Sequence, residues 1–131
     1  MKSLILFATA CSILLITACN KEPGEGGSSS ITGKVVMFDV NGSGDTTSVQ
    51  YNAMDIDVFI IYGEVTQTYS DNFKTSFDGS YRFDYLTPGK YTVFVYSECA
   101  VCAGGLEVRS STVEITEKNQ TVGVENLIIL N

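Results

Sequence analysis

The chain has 131 residues, enough for one domain, and its fifteen acids against eight bases give a net charge of −7. So acidic a balance disfavours nucleic acid as a partner. There is no histidine, which excludes Ser-His-Asp and Cys-His catalysis and most zinc enzymes.

Met1 and Lys2 form a short positive start, and Leu4 to Ile16 is an apolar run too short to span a bilayer. The next residues, "LITAC", place Ala18 before Cys19. This resembles the bacterial lipobox, in which a small residue precedes a cysteine that is lipidated and becomes the first residue of the mature protein. Cys11 also follows an alanine, but it would leave only a few residues of apolar run, so Cys19 is the expected site. The resemblance implies a signal peptide over 1–18 and a diacylglyceryl group on Cys19, usually with an N-acyl chain such as palmitate. Two or more acyl chains anchor a protein firmly without spanning the membrane. Residues 19–30, "CNKEPGEGGSSS", are rich in Gly, Ser and charge and cannot bury a core, so a flexible tether is expected there. Lys21-Glu22 and nearby Glu25 resemble the signal that some Gram-negative groups use to send lipoproteins to the outer face of the outer membrane. That implies a lipid-anchored protein of the outer membrane, on its periplasmic face or exposed at the cell surface.

From Ile31 to the end the segments are short, β-branched and aromatic, and turn residues punctuate them. This pattern predicts an all-β sandwich over 31–131. "ITGKVVMFDV", 31–40, reads as the first strand, and the polar "NGSGDTTSVQYN" as a loop. "DIDVFIIYG", 55–63, places Ile56, Val58, Ile60 and Tyr62 on one face. Further strands are predicted near 65–70 and 72–77. Asp78-Gly79 is a two-residue hairpin signal. In "SYRFDY", Tyr81, Phe83 and Tyr85 alternate with Ser80, Arg82 and Asp84, so the aromatic set faces a core. Thr87-Pro88-Gly89-Lys90 suits a type II turn. "KYTVFVYSE" returns with apolar residues on both faces, which predicts a central, covered strand. "LEVRSSTVEIT" and "TVGVENLIIL" supply the last strands.

The order "TGKV… DVFIIYG… DGSYRFDYLTPGKYTVFVYSE… STVEI… ENLIIL" resembles the carboxypeptidase regulatory-like and collagen-adhesin B-type domains, over roughly 31–130. Its sharpest motif is Gly79-x-Tyr81-x-Phe83-x-x-Leu86-x-Pro88-Gly89-x-Tyr91-x-Val93. The resemblance implies a transthyretin-like β-sandwich of about seven strands. It implies functions of adhesion, spacing, regulation or docking near envelope machinery, not a reaction. Lys34 and Asn126 occupy positions similar to an isopeptide-forming pair in the adhesin domains, but no buried acid can be placed between them.

Few residues offer distinctive chemistry. Cys99 and Cys102 are expected to form a local disulfide in an oxidising envelope; free thiols, redox use or half a metal site are the alternatives. Asp39, Asn41, Ser43 and Asp45 resemble the first half of a calcium loop, but its twelfth position is Gln50 rather than glutamate. Acid pairs such as Asp55/Asp57 and Glu114/Glu117 read as solvent-face charges. Seven tyrosines without a tryptophan could stack on sugars or simply line core edges. The sequence therefore predicts a non-enzymatic lipoprotein without a cofactor. Its sandwich is expected to bind or support another envelope component; the alternative is a small glycan- or calcium-binding surface protein.

Overall fold

The computed structural model describes residues 21–131, so Cys19 and the expected signal peptide lie outside the described residues. Within them the protein is all-β, with nine strands in two sheets that face each other across one core. The strand count exceeds the predicted seven. The additions are an exposed strand in the stretch read as a loop and the division of the C-terminal segment in two.

β1 (Glu25–Val40) is the spine of the first sheet. One edge carries β5 (Ser80–Leu86) along its first half and β2 (Thr46–Asn52) along its second. They meet at Val35, whose N–H donates to Gly79 and whose carbonyl accepts from Ala53. The other edge carries β8 (Thr121–Gly123) and then β9 (Leu127–Leu130), both parallel to β1. The second sheet runs β4 (Asp71–Lys74), β3 (Asp57–Tyr62), β6 (Gly89–Glu98), β7 (Leu106–Ile115), all antiparallel. Ile31, Val35, Val58, Ile60, Phe83, Leu86, Tyr91, Val93, Val95, Ile115 and Leu127 fill the space between the sheets. β6 is central, as its composition predicts.

Four local expectations change. First, Asp78-Gly79 is not the centre of a two-residue hairpin turn: Gly79 N donates to Ser76 O and Ser76 N to Ser80 O, both at 2.9 Å, which closes a longer turn. Only Gly79 has positive φ (80°), whereas the two-residue hairpin turn needs it at both positions. The turn instead carries the chain from β4 in one sheet to β5 in the other. Second, Thr87-Pro88-Gly89 is likewise a corner between sheets. Gly89 has φ 151°, far from the value of about +80° that a type II turn requires at that position. Third, alternation holds through Tyr81 and Phe83 and fails at Tyr85. The backbone enters the left-handed region there (φ 58°), which turns the ring out to 75% exposure and puts Leu86 into the core. Fourth, 65–70 forms no strand.

The predicted tether also changes. Residues 25–30 belong to β1, with Ser29 and Ser30 buried. The residues before them are strapped to the end of the sandwich. Glu22 O accepts from Thr87 Oγ1 at 2.9 Å, and Gly24 N donates to the Tyr91 hydroxyl at 2.9 Å. Tyr91 in turn donates to Thr87 O at 2.6 Å. Small residues make the strap possible, since a Cβ on Gly27 would lie 2.0 Å from Leu86 O. The polar composition of this stretch does not need a core of its own; it uses the backbone groups of the β5–β6 corner.

Candidate functional site

The outer face of the four-stranded sheet departs from the usual division of apolar inside and polar outside. Directly paired residues of antiparallel strands share a face. Asn72, Phe59, Phe94 and Ser110 therefore form one row across β4, β3, β6 and β7. Val58 and Val93, on the opposite parity, point into the core. The row puts two phenyl rings on the side that meets solvent, stacked at 5.1 Å between centroids. Tyr69, from the loop before β4, packs on Phe59 at 4.7 Å. Tyr96 meets Phe59 and Phe94 edge-on, both at 5.8 Å.

The two phenylalanines are largely shielded by this cluster, while Tyr69 and Tyr96 are 54% and 48% exposed. Each presents half a phenol ring to solvent. Val108, opposite Tyr96, extends the apolar strip towards the β6–β7 loop. Polar groups border it: Asn72 at one end of the row, Ser110 at the other, and Thr112 hydrogen-bonded to Thr92 at 3.1 Å in the next row. Such a surface offers flat apolar area with hydrogen-bonding groups at its margin. It suits a ligand that is itself apolar on one face and hydroxylated at its edge.

The expected sites distribute elsewhere. Cys99 and Cys102 are bonded to each other, with Cα atoms 5.3 Å apart, in the exposed loop joining β6 to β7. Glu107 lies beside the sulfurs, a neighbour that sequence spacing does not single out, and it also pairs with Arg109 at 2.5 Å. Asp39, Asn41, Ser43 and Asp45 sit at the end of β1 and in the β1–β2 turn. Asn41 Oδ1 accepts from the amides of Ser43 and Asp45 at 3.0 and 2.9 Å, which occupies it within the turn. Asp39 faces the Tyr51 phenol, whose pKa its charge pushes up. Asp55 and Asp57 both face Lys74, at 3.7 and 3.3 Å. Lys34 and Asn126 border one shallow depression on the first sheet, but Lys34 is half-buried and Asn126 exposed. Neither has the shielded setting that an isopeptide bond would need.

Sequence reasoning noticed the tyrosines but not this cluster. The available signal was apolar residues on both parities of "DVFIIY" and "TVFVY"; the first reads as a one-face core pattern when Phe59 is passed over, and the second as a strand covered on both faces.

No known protein family matches the sequence, and no curated protein matches it. Among solved structures, the chain is similar to a crystal structure of a "putative carbohydrate binding protein" from Pseudomonas aeruginosa. The two share 14% sequence identity and a TM-score of 0.49, over 80% of this chain and 90% of that one. At that distance the likeness carries no argument about what this chain binds.

Proposed function

We propose that this chain is a lipid-anchored envelope protein whose sandwich is a non-catalytic binding module, and that its ligand is a glycan taken on the outer face of the four-stranded sheet. The carrying observation is the cluster of Phe59, Tyr69, Phe94 and Tyr96 on a face where solvent would otherwise select polar residues. A pyranose ring stacks its C–H face on an exposed phenol ring while its hydroxyls reach groups such as Asn72, Ser110 and Thr112. The anchor rests on the lipobox at Cys19, and the acidic surface is compatible with an envelope setting.

Affinity electrophoresis against a panel of envelope and host polysaccharides tests the ligand. The wild type should be retarded by at least one polymer, and Tyr69→Ala combined with Tyr96→Ala should abolish the retardation. Tyr85→Ala, an exposed tyrosine away from this face, should not. Retardation that survives the double substitution, or none with any polymer, overturns the glycan reading. Cys19→Ser should abolish incorporation of a fatty-acid probe, and labelling that persists overturns the anchor.

A further inference from the structure

We infer that one end of the sandwich lies against the bilayer and that the strands stand along the membrane normal, with the disulfide loop at the outer tip. This rests on the proposed lipidation of Cys19. A long tether would leave orientation free, but here Asn20 alone separates Cys19 from Lys21. Two trans peptide units reach about 7 Å. Chain connectivity alone therefore keeps the Cys19 Cα within that distance of Lys21, a residue already seated on the sandwich.

Three contacts seat it. Lys21 Nζ donates to Gly26 O at 3.0 Å, Thr87 Oγ1 to Glu22 O at 2.9 Å, and Gly24 N to the buried Tyr91 hydroxyl at 2.9 Å. Pro23 lies against Gly89, where an added Cβ would come within 2.4 Å of its ring. An open groove beside this strap is lined by Lys21, Pro23, Thr87, Pro88, Ile115 and Lys118. It is the surface that the anchor would bring to the headgroups. β6 begins at this end with Gly89 and finishes at Glu98, next to Cys99. Ten extended residues span roughly 30 Å, so the disulfide loop stands about that far above the lipid. The β1–β2 turn, with Ser43, stands at the same outer end. The aromatic face then looks sideways, parallel to the membrane plane.

Charge does not set this orientation. Lys21, Lys90 and Lys118 at the lower end are outnumbered by Glu22, Glu25, Glu114 and Glu117. The short covalent link does, so the orientation should be indifferent to salt and to the charge of the lipid.

The test uses the full lipidated protein in vesicles of neutral phospholipid carrying a headgroup-attached quencher. A fluorophore on Lys118→Cys should lose most of its emission, and one on Ser43→Cys should lose none. A flexible nine-residue Gly-Gly-Ser repeat inserted between Asn20 and Lys21 should abolish the difference. Equal quenching at the two positions, with the protein floating with the vesicles and carrying the fatty-acid probe, overturns the orientation alone. A protein that neither floats nor takes the probe overturns the anchor and, with it, the orientation. A difference that survives the insertion overturns tether length as its cause.

Discussion

Phe83 and Arg82 are neighbours in sequence with opposite roles. Phe83 is 4% exposed and packs within the core, so Phe83→Ala should cost about 3–5 kcal/mol. Arg82 is on the solvent side and pairs with Asp84 at 2.6 Å. Exposed ion pairs contribute little, so Arg82→Ala should cost less than about 1 kcal/mol. A denaturant titration reads both, and equal losses would reverse the face assignment. Tyr81 presents a different case: its hydroxyl is buried over Gly33 without a hydrogen-bond partner among the described residues. Removing an unsatisfied buried polar group relieves a desolvation cost of about 1–3 kcal/mol. Tyr81→Phe should therefore raise the melting temperature, and a fall would show that the hydroxyl has a partner. Alternation around these residues was legible because one face of a half-buried strand is apolar. Tyr85 was not legible, because a left-handed backbone turn leaves no mark in a binary pattern.

At the scale of elements, turn chemistry identified where the chain bends but not which strands it joins. Asp78-Gly79 and Pro88-Gly89 do mark sharp turns, yet both cross between sheets, since the partner of each strand is chosen by burial and not by the turn. β2 was illegible for a related reason. Its seven residues are almost all exposed, so no apolar period reveals them, and β1 holds them through backbone bonds. The strap was hidden because Gly- and Ser-rich sequence usually signals disorder. Gly27→Ala should force a Cβ against Leu86 O and destabilise by about 1–3 kcal/mol, with faster tryptic cleavage after Lys21. Gly42→Ala, which meets nothing within 4 Å, should change neither; unchanged proteolysis in Gly27→Ala would show that the strap tolerates a side chain. The Cys99–Cys102 bridge closes a very short loop outside the core, so Cys99→Ser with Cys102→Ser should cost at most about 2 kcal/mol in a thermal melt. Collapse of that variant would give the loop a larger structural role.

For the whole molecule, two buried or half-buried phenols set the alkaline limit. Burial pushes Tyr62 up to about 12, with the Asp71 and Glu25 charges adding to it, and burial raises Tyr81 further. Between an unfolded value near 10 and these higher folded values, the unfolded chain loses protons that the native one keeps. Stability should then be level up to about pH 10 and fall above it. Asp84, hydrogen-bonded by Ser30, and Asp78, hydrogen-bonded by Ser80, are shifted the other way. Their contribution is present above the ordinary carboxylate range near pH 4 and is lost as pH falls through it. Denaturation midpoints across pH would show both flanks, and constant stability above pH 10 would place the two phenols in water.

The parallel pairing of β1 with β8 and β9 has a consequence for biogenesis. The first described strand waits for the last, because the edge of β1 opposite β5 and β2 is paired only by β8 and β9 among the described residues. Until those strands emerge, a nascent chain exposes one flank of its longest strand and cannot close its core. Non-local strand pairing of this kind is slow to form. The polypeptide should therefore stay loose through translation. Ribosome-arrested chains of increasing length should gain protease resistance only once Leu130 has cleared the exit tunnel. Resistance at a length ending before Thr121 would show that the sandwich can form without its closing strands.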